Sequence, residues 1–250
     1  HMWDHTIQNY DDTLDNYGDP SEHPELIDVN GELEPPTISE EELARLKTLG
    51  YVPSDTTPKD LQSDFMHTNA IAYNADLDQI VLSILKYNEV WIIDHSTTVD
   101  EAAGHTGGRW ERGGDLLYRW GNPRVYGRGD GTQQRLFGQH DPRWIPQGMP
   151  GAGHLLVFNN NLNGPEGPYS AVFEFALPTD DDGLFVVPDT EAFGPETLSW
   201  SYTAPDKSSM FSSFISGAHR LANGRTMITS GAQGRFLEVT SEGEIVWDYW

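Results

Sequence analysis

Two short stretches carry the side chains best suited to chemistry. In DFMHTNAIAYN, residues 64–74, His67 and Asn69 stand one residue apart at the head of a strand-like run. Period-two alternation puts both on one face of that strand. In GQHDPRWI, His140 also opens a strand-like run, as does His219 in AHRLANG. An imidazole changes charge near neutral pH, so it can serve as a nucleophile, as a general acid or base, or as a metal ligand. A carboxamide NH2 can donate to an oxyanion. Three histidines from three elements could hold zinc, copper or iron. No pair of them has the short spacing of a dedicated ligand set, so no metal and no other cofactor is expected. A lone strand histidine is more often structural, and the others, His95, His105 and His154, fall near turns and read as solvated. His105, in AAGHTGGRWERGG, could sit on a loop over a pocket; that Gly-rich stretch lacks the G-x-x-x-x-G-K-[ST] pattern of a phosphate loop.

The elements that must position these residues repeat. The first unit runs HTNAIAYN, QIVLSIL, EVWIIDHS, DLLYRWGNP. The second runs HDPRWIP, HLLVFNNN, SAVFEFAL, LSWSYTAP, and the third AHRLANG, RTMITSG, RFLEVTS, EIVWDYW. Each has four short strands separated by Gly, Pro, Asn and Asp turns, and each opens on a histidine. The fourth strand of each carries a tryptophan, Trp120, Trp200 and Trp247, read as packing between units. Asn159, Asn160 and Asn161 read as a turn after a strand. Four-stranded repeats of this size predict an all-β chain and a β-propeller, in which the first strand of each blade lines a central channel. The blades are expected at about 64–123, 137–205 and 214–250. MWDH resembles VWDY of the third unit, so residues 1–10 read as the outer strand of a preceding blade. Three blades and one strand do not close a ring. A fragment of a longer chain, a homodimer completing the propeller, or an open array would each account for this.

Residues 11–63 read as an acidic insertion. Within it SEEELARLKTLG predicts one helix over 40–49, with Ser39 and Glu42 as a capping box, Leu43, Leu46 and Leu49 as an apolar stripe, and Gly50 at its end. The chain has 250 residues and a formal charge of −24. Residues 1–64 alone carry −13. Such a chain repels nucleic acid and anionic lipid, whose binding needs clustered Lys and Arg. The acidic front reads as solvated surface, since it lacks the D-x-[DN]-x-[DN]-G spacing of a calcium loop. Without cysteine there are no disulfides, thiolate sites or cysteine nucleophiles. No run of about 18 apolar residues marks a membrane span. The leading His-Met reads as a cloning remnant that would stand in place of a native leader.

DFMHTNAIAYN with DLDQIVLSI, GQHDPRWI with GHLLVFNNN, and YSAVFEFAL together resemble the bacterial arylsulfate sulfotransferases, over roughly residues 1–10 and 64–250. The resemblance implies a six-bladed propeller, periplasmic or secreted. It implies transfer of a sulfuryl group from a phenolic sulfate ester to another phenol, without a nucleotide donor. By the same resemblance His140 matches the histidine that is transiently sulfated, and His67 and Asn69 the pair that holds the sulfuryl oxygens. His5 matches a further active-site histidine. The family has an arginine about 18 residues after the H-x-N histidine; here that position is Leu85, with Lys86 beside it to supply a point charge. Arg220, next to His219, is a further anion-binding candidate. The expected partners are a small-molecule donor and acceptor, with neither nucleic acid nor membrane.

The required roles are present. Sulfuryl transfer needs a nucleophile, donors to the peripheral oxygens and a proton for the leaving phenolate. His140, His67, His5 and Asn69 could divide them in a ping-pong reaction. The repeat by itself supports a non-catalytic binding propeller equally well, and quinone- or metal-dependent oxidoreductases share the architecture.

Overall fold

A computed structural model describes residues 5, 18–28, 31, 38–58, 60 and 66–250. Residues 1–4 and 6–10 of the expected preceding strand lie outside the described residues. From residue 66 onward the predicted repeat is realised as three four-stranded antiparallel sheets. The first contains β1 (Thr68–Asn74), β2 (Gln79–Ile84), β3 (Glu89–Asp94) and β4 (Leu116–Trp120). The second contains β5 (His140–Trp144), β6 (Leu155–Gly164), β7 (Gly167–Phe175) and β8 (Trp200–Tyr202). The third contains β9 (Gly217–Arg220), β10 (Thr226–Ser230), β11 (Arg235–Val239) and β12 (Ile245–Tyr249). Each is a meander in chain order, and the first strands β1, β5 and β9 approach one another in succession. These are three blades of a propeller with their first strands innermost.

Turn chemistry enforces the meanders. Asn74 Oδ1 accepts from the backbone of Asp76 and Leu77, both at 3.1 Å, closing the β1–β2 turn. The β2–β3 turn is a 3-10 turn, Leu85–Tyr87, ended by Asn88 in the left-handed region, which asparagine tolerates. The third blade repeats this turn at Gly231–Gln233, with Gly234 in the Asn88 position.

Alternation along the strands builds the seams between blades. On β6, Leu155 and Val157 join Trp91, Trp120 and Phe175 in the core between the first and second blades. Leu156 and Phe158 point the other way, joining Val172, Ile228 and Leu237 between the second and third. Burial on both faces explains why β6 opens as a continuous apolar run. Trp120 packs on Phe175 at 4.2 Å between centroids, and Trp200 donates to Ser241 O at 2.8 Å, so both bridge blades as expected. Trp247 does not: it is 45% exposed on β12, the outermost strand of the third blade.

The helix α1 (Glu40–Thr48) forms where predicted, with Ser39 Oγ accepting from Glu42 N. The capping box is half made, because the Glu42 carboxylate pairs with Arg45 instead of turning back to Ser39. Leu43 is buried, but Leu49 is 53% exposed, so the apolar stripe covers less than its three leucines. A second, shorter helix, α2 (Val99–Ala102), lies in the β3–β4 loop. The acidic front is not all solvated surface. Arg119 Nη1 donates to Pro24 O and Leu26 O, Arg128 Nε to Ser21 O, and Tyr87 Oη to Asp28 O. Arg119 also forms a fully buried ion pair with Glu89. Backbone carbonyls, which a charge count ignores, dock residues 21–28 onto the first blade.

Candidate active site

His140 stands at the head of β5, half-buried, and three elements fix its ring. Its Nδ1 lies 2.9 Å from Asn160 Oδ1 and 3.1 Å from Gly138 O. Both are acceptors in this arrangement. Asn160 is fully buried and spends its NH2 on Ser212 O and Ile215 O, each at 2.8 Å, which leaves its oxygen for His140. Nδ1 therefore carries the proton and Nε2 the lone pair. The Ile215 backbone N–H donates to that lone pair at 3.2 Å. Burial is the main cause that pushes His140 below its ordinary value, and the electrostatic influence of nearby His67 adds to it. Hydrogen bonds to Asn160 and Gly138, and the Asp141 carboxylate, oppose the shift. The ring is thus held neutral near pH 7, in the tautomer that leaves the lone pair on Nε2.

The asparagine run that reads as a turn from sequence is instead part of β6, and it builds this site. Asn159 Nδ2 donates to Arg135 O, and its Oδ1 accepts from Phe137 N, fastening the segment that enters β5. Asn160 fastens His140 and the 212–215 segment. Asn161 Nδ2 donates to Ser213 O. Three polar residues in a row at the end of an apolar strand were the signal that could have found them.

Gln139 and Asn69 account for the rest of the two motifs. Gln139 is fully buried; its Nε2 lies within hydrogen-bonding distance of Glu89 O (2.8 Å), Ser83 Oγ and Ile84 O (both 3.2 Å), all on the first blade. Its own carbonyl accepts from Asn69 Nδ2 at 2.9 Å and from Ser83 Oγ at 3.2 Å. Asn88 Oδ1 accepts from Gly138 N at 2.7 Å. The H-x-N strand and the Q-H strand are thereby locked together, and the histidine of each is brought to the same end. Asn69 thus spends one N–H of its carboxamide on positioning Gln139.

His67 precedes β1 and is exposed; its carbonyl accepts from Leu85 N, and Met66 O accepts from Lys86 N. Lys86 therefore lies at this end too, in a 3-10 turn and not on a strand. Positive φ angles gather at the heads of the three inner strands: Met66 (66°) and His67 (49°), Asp141 (55°), Ile215 (51°) and Ser216 (92°). For a β-branched isoleucine this region is costly, about 1–3 kcal/mol, and such strain clusters at functional sites.

The structure does not bring His5 or Arg220 to this place. His5 is buried against the β3–β4 loop, with Nδ1 2.7 Å from Asp115 Oδ1 and Nε2 2.7 Å from Ala102 O. That loop lies at the opposite end of the first sheet from His67. Arg220 ends β9, and its Nη2 pairs with Glu174, Nη1 with Pro150 O and Nε with Thr226 Oγ1. It staples the second and third blades through one N–H from each of its three nitrogens. Further along the channel Arg143 donates to Asp141 and to His219 Nδ1, beside a cavity of about 210 Å³ that Tyr73 also lines. A larger cavity, about 390 Å³, lies away from the histidines, among Trp120, Tyr126, Arg128 and Phe193. His95 and His154 are not simply solvated, since they pair with Asp78 and Glu174.

A half-buried, neutral, oriented histidine at the inner rim of propeller blades defines a class of site suited to group transfer. The family model described as arylsulfotransferase (ASST) matches residues 13–182, and the chain belongs to that family. The match includes the acidic front from residue 13, the first blade and the first three strands of the second, so it extends over residues left out of the resemblance in the sequence reading. No curated protein matches. Among solved structures, the chain is similar to a protein of unknown function from Bacteroides caccae, at 12% identity and a TM-score of 0.37, over 73% of this chain and 45% of that one. It is also similar to the β-propeller domain of Cps50 (Swd1) from Myceliophteria thermophila, at 14% identity and a TM-score of 0.39, over 79% and 47%. The chain spans less than half the length of either. No helix among the described residues is long and apolar enough to cross a membrane.

Proposed function

We propose that this chain carries the nucleophile of a ping-pong aryl sulfate sulfotransferase, with His140 Nε2 as the attacking atom. The observation that supports this best is the fixing of His140 as a neutral Nδ1–H tautomer by Asn160. In the first half-reaction the Nε2 lone pair forms a bond to sulfur as the sulfur–oxygen bond to the phenol breaks. The phenolate leaves with a proton from His67. The resulting N-sulfated imidazolium keeps its Nδ1 proton on Asn160. In the second half-reaction His67 takes the proton of an acceptor phenol, whose oxygen attacks sulfur, and the nitrogen–sulfur bond breaks. For Nε2 to react, the Ile215 N–H must let go of it; strain at Ile215 and Ser216 lowers the cost of that release. Lys86, at the same end, is the candidate charge for the sulfuryl oxygens. Donor and acceptor are small phenolic compounds, and family resemblance supports a periplasmic or secreted location. His5 and Arg220 have no part in this scheme.

The test is release of 4-nitrophenol from 4-nitrophenyl sulfate with phenol as acceptor. Phenol-dependent turnover by the wild type is expected, lost by about 10³-fold or more in His140→Ala, which removes the atom proposed to carry the group. A sulfated His140 peptide should be trapped by mass spectrometry when acceptor is withheld. Turnover that survives in His140→Ala would overturn the assignment. Binding without turnover by a folded wild type would favour a non-catalytic propeller.

A further inference from the structure

We infer that His5, His105 and Asp115 form a binding site for a divalent transition metal of the zinc type, distinct from the His140 site. The His5 and His105 nitrogens and the Asp115 carboxylate lie within 4.8 Å of one another. His105 Nδ1 is 2.9 and 3.1 Å from the two Asp115 oxygens, and His5 Nδ1 is 2.7 Å from Oδ1. Two imidazole nitrogens and one carboxylate are a common donor set for zinc, with a fourth position left for water. His105 is exposed, so that position opens to solvent.

The outer contact of His5 supplies a second argument. Its Nε2 lies 2.7 Å from Ala102 O, which can only accept, so Nε2 carries a proton. A neutral His5 then has its Nδ1 lone pair aimed at a carboxylate oxygen, acceptor against acceptor. A cation bound from beside this pair, with the two atoms moving apart from 2.7 Å, would be ligated by the nitrogen and the carboxylate together. Metal-bound histidines characteristically donate their other nitrogen to a backbone carbonyl, as His5 does here. The chain also makes room for this ring. A Cβ on Gly114 would stand 2.5 Å from His5 Nε2 and 2.3 Å from Ala102 O. Gly113, at φ +56°, turns the chain into that approach. The second glycine pair of GGRWERGG, which fits no phosphate loop, thus seats His5. A metal bound by both imidazoles and Asp115 would tie residue 5 to a loop about 100 residues away. Such a site would depart from the expectation that no metal is held.

The experiment is equilibrium dialysis of the metal-stripped chain against Zn²⁺, read by elemental analysis, with Co²⁺ as a spectroscopic probe and a thermal melt. Wild type is expected to hold one equivalent, to show visible Co²⁺ bands, and to melt higher by roughly 5–10 °C at metal about 100-fold above Kd. Asp115→Asn and the exposed-side variant His105→Ala should each lose at least tenfold in affinity. Because His105 is exposed, its replacement leaves the fold intact and separates lost binding from lost structure. Absence of binding up to about 1 mM Zn²⁺, or wild-type affinity in His105→Ala, would overturn the site.

Discussion

Replacing Asn160 with alanine tests how the candidate nucleophile is built. The side chain is fully buried and makes three hydrogen bonds, to Ser212 O, Ile215 O and His140 Nδ1. Ser212 O keeps a contact from Ser170 Oγ at 3.3 Å, and His140 Nδ1 keeps Gly138 O. Ile215 O loses the side-chain donor that now satisfies it. A typical net hydrogen bond contributes about 0.5–1.5 kcal/mol, and the side chain makes three of them. The sum, about 2–4 kcal/mol, lowers the melting temperature of a chain this size by roughly 5–15 °C. The catalytic loss should be larger than stability alone explains, because the tautomer is no longer enforced. Loss of the residue that orients a catalytic histidine costs up to about 10⁴-fold in the serine-protease precedent, and a loss of at least 10²-fold is expected here. Urea titration measures the first effect and 4-nitrophenyl sulfate turnover at low temperature the second. Nitrogen-15 spectra of the His140 ring should show Nδ1–H in the wild type and a mixture of tautomers in the variant. A wild-type ring dominated by Nε2–H, or a variant with unchanged stability and turnover, would refute the reasoning.

The depressed basicity of His140 places the acidic limb of its pH–rate profile below 6.5, the ordinary histidine value. Replacing His67 with glutamine removes a neighbour that lowers His140 electrostatically and should move that limb upward. Because His140 is held neutral, its contribution to stability is complete above 6.5 and declines as pH falls below it, which urea midpoints across that range will show. Arg220→Met should cost about 3–5 kcal/mol by leaving Glu174 buried with only His154 beside it. A raised KM at unchanged stability would instead mark Arg220 as a substrate ligand. Gln139→Ala removes the side-chain contacts of Gln139 with the first blade and should lower the urea midpoint by the equivalent of about 2–4 kcal/mol. An unchanged midpoint would mean that the two blades do not depend on it for their register.

Much was legible before any coordinates. The period-two runs, the repeated turns and the histidine opening each unit specify three four-stranded sheets, because side-chain alternation and turn conformation are local properties. The placing of His67 and His140 at the heads of first strands was legible for the same reason. Which polar residues orient them was not. Asn159 to Asn161 look like a turn by composition, yet buried carbonyls of two incoming segments supply the partners that make them strand residues. His5 and Arg220 looked like site residues because a cation or an imidazole beside a motif is ambiguous in one dimension. Only the packing of the blades decides that Arg220 faces Glu174 and that His5 reaches the Asp115 loop. The sequence by itself determined the strands, their order and the acidic, cysteine-free surface, since these follow from local pattern and composition. Tertiary structure alone decided the tautomer of His140 and the pairing of Asn69 with Gln139. Hydrogen bonds between residues 20 to 70 positions apart depend on how the blades pack, and no local pattern records that.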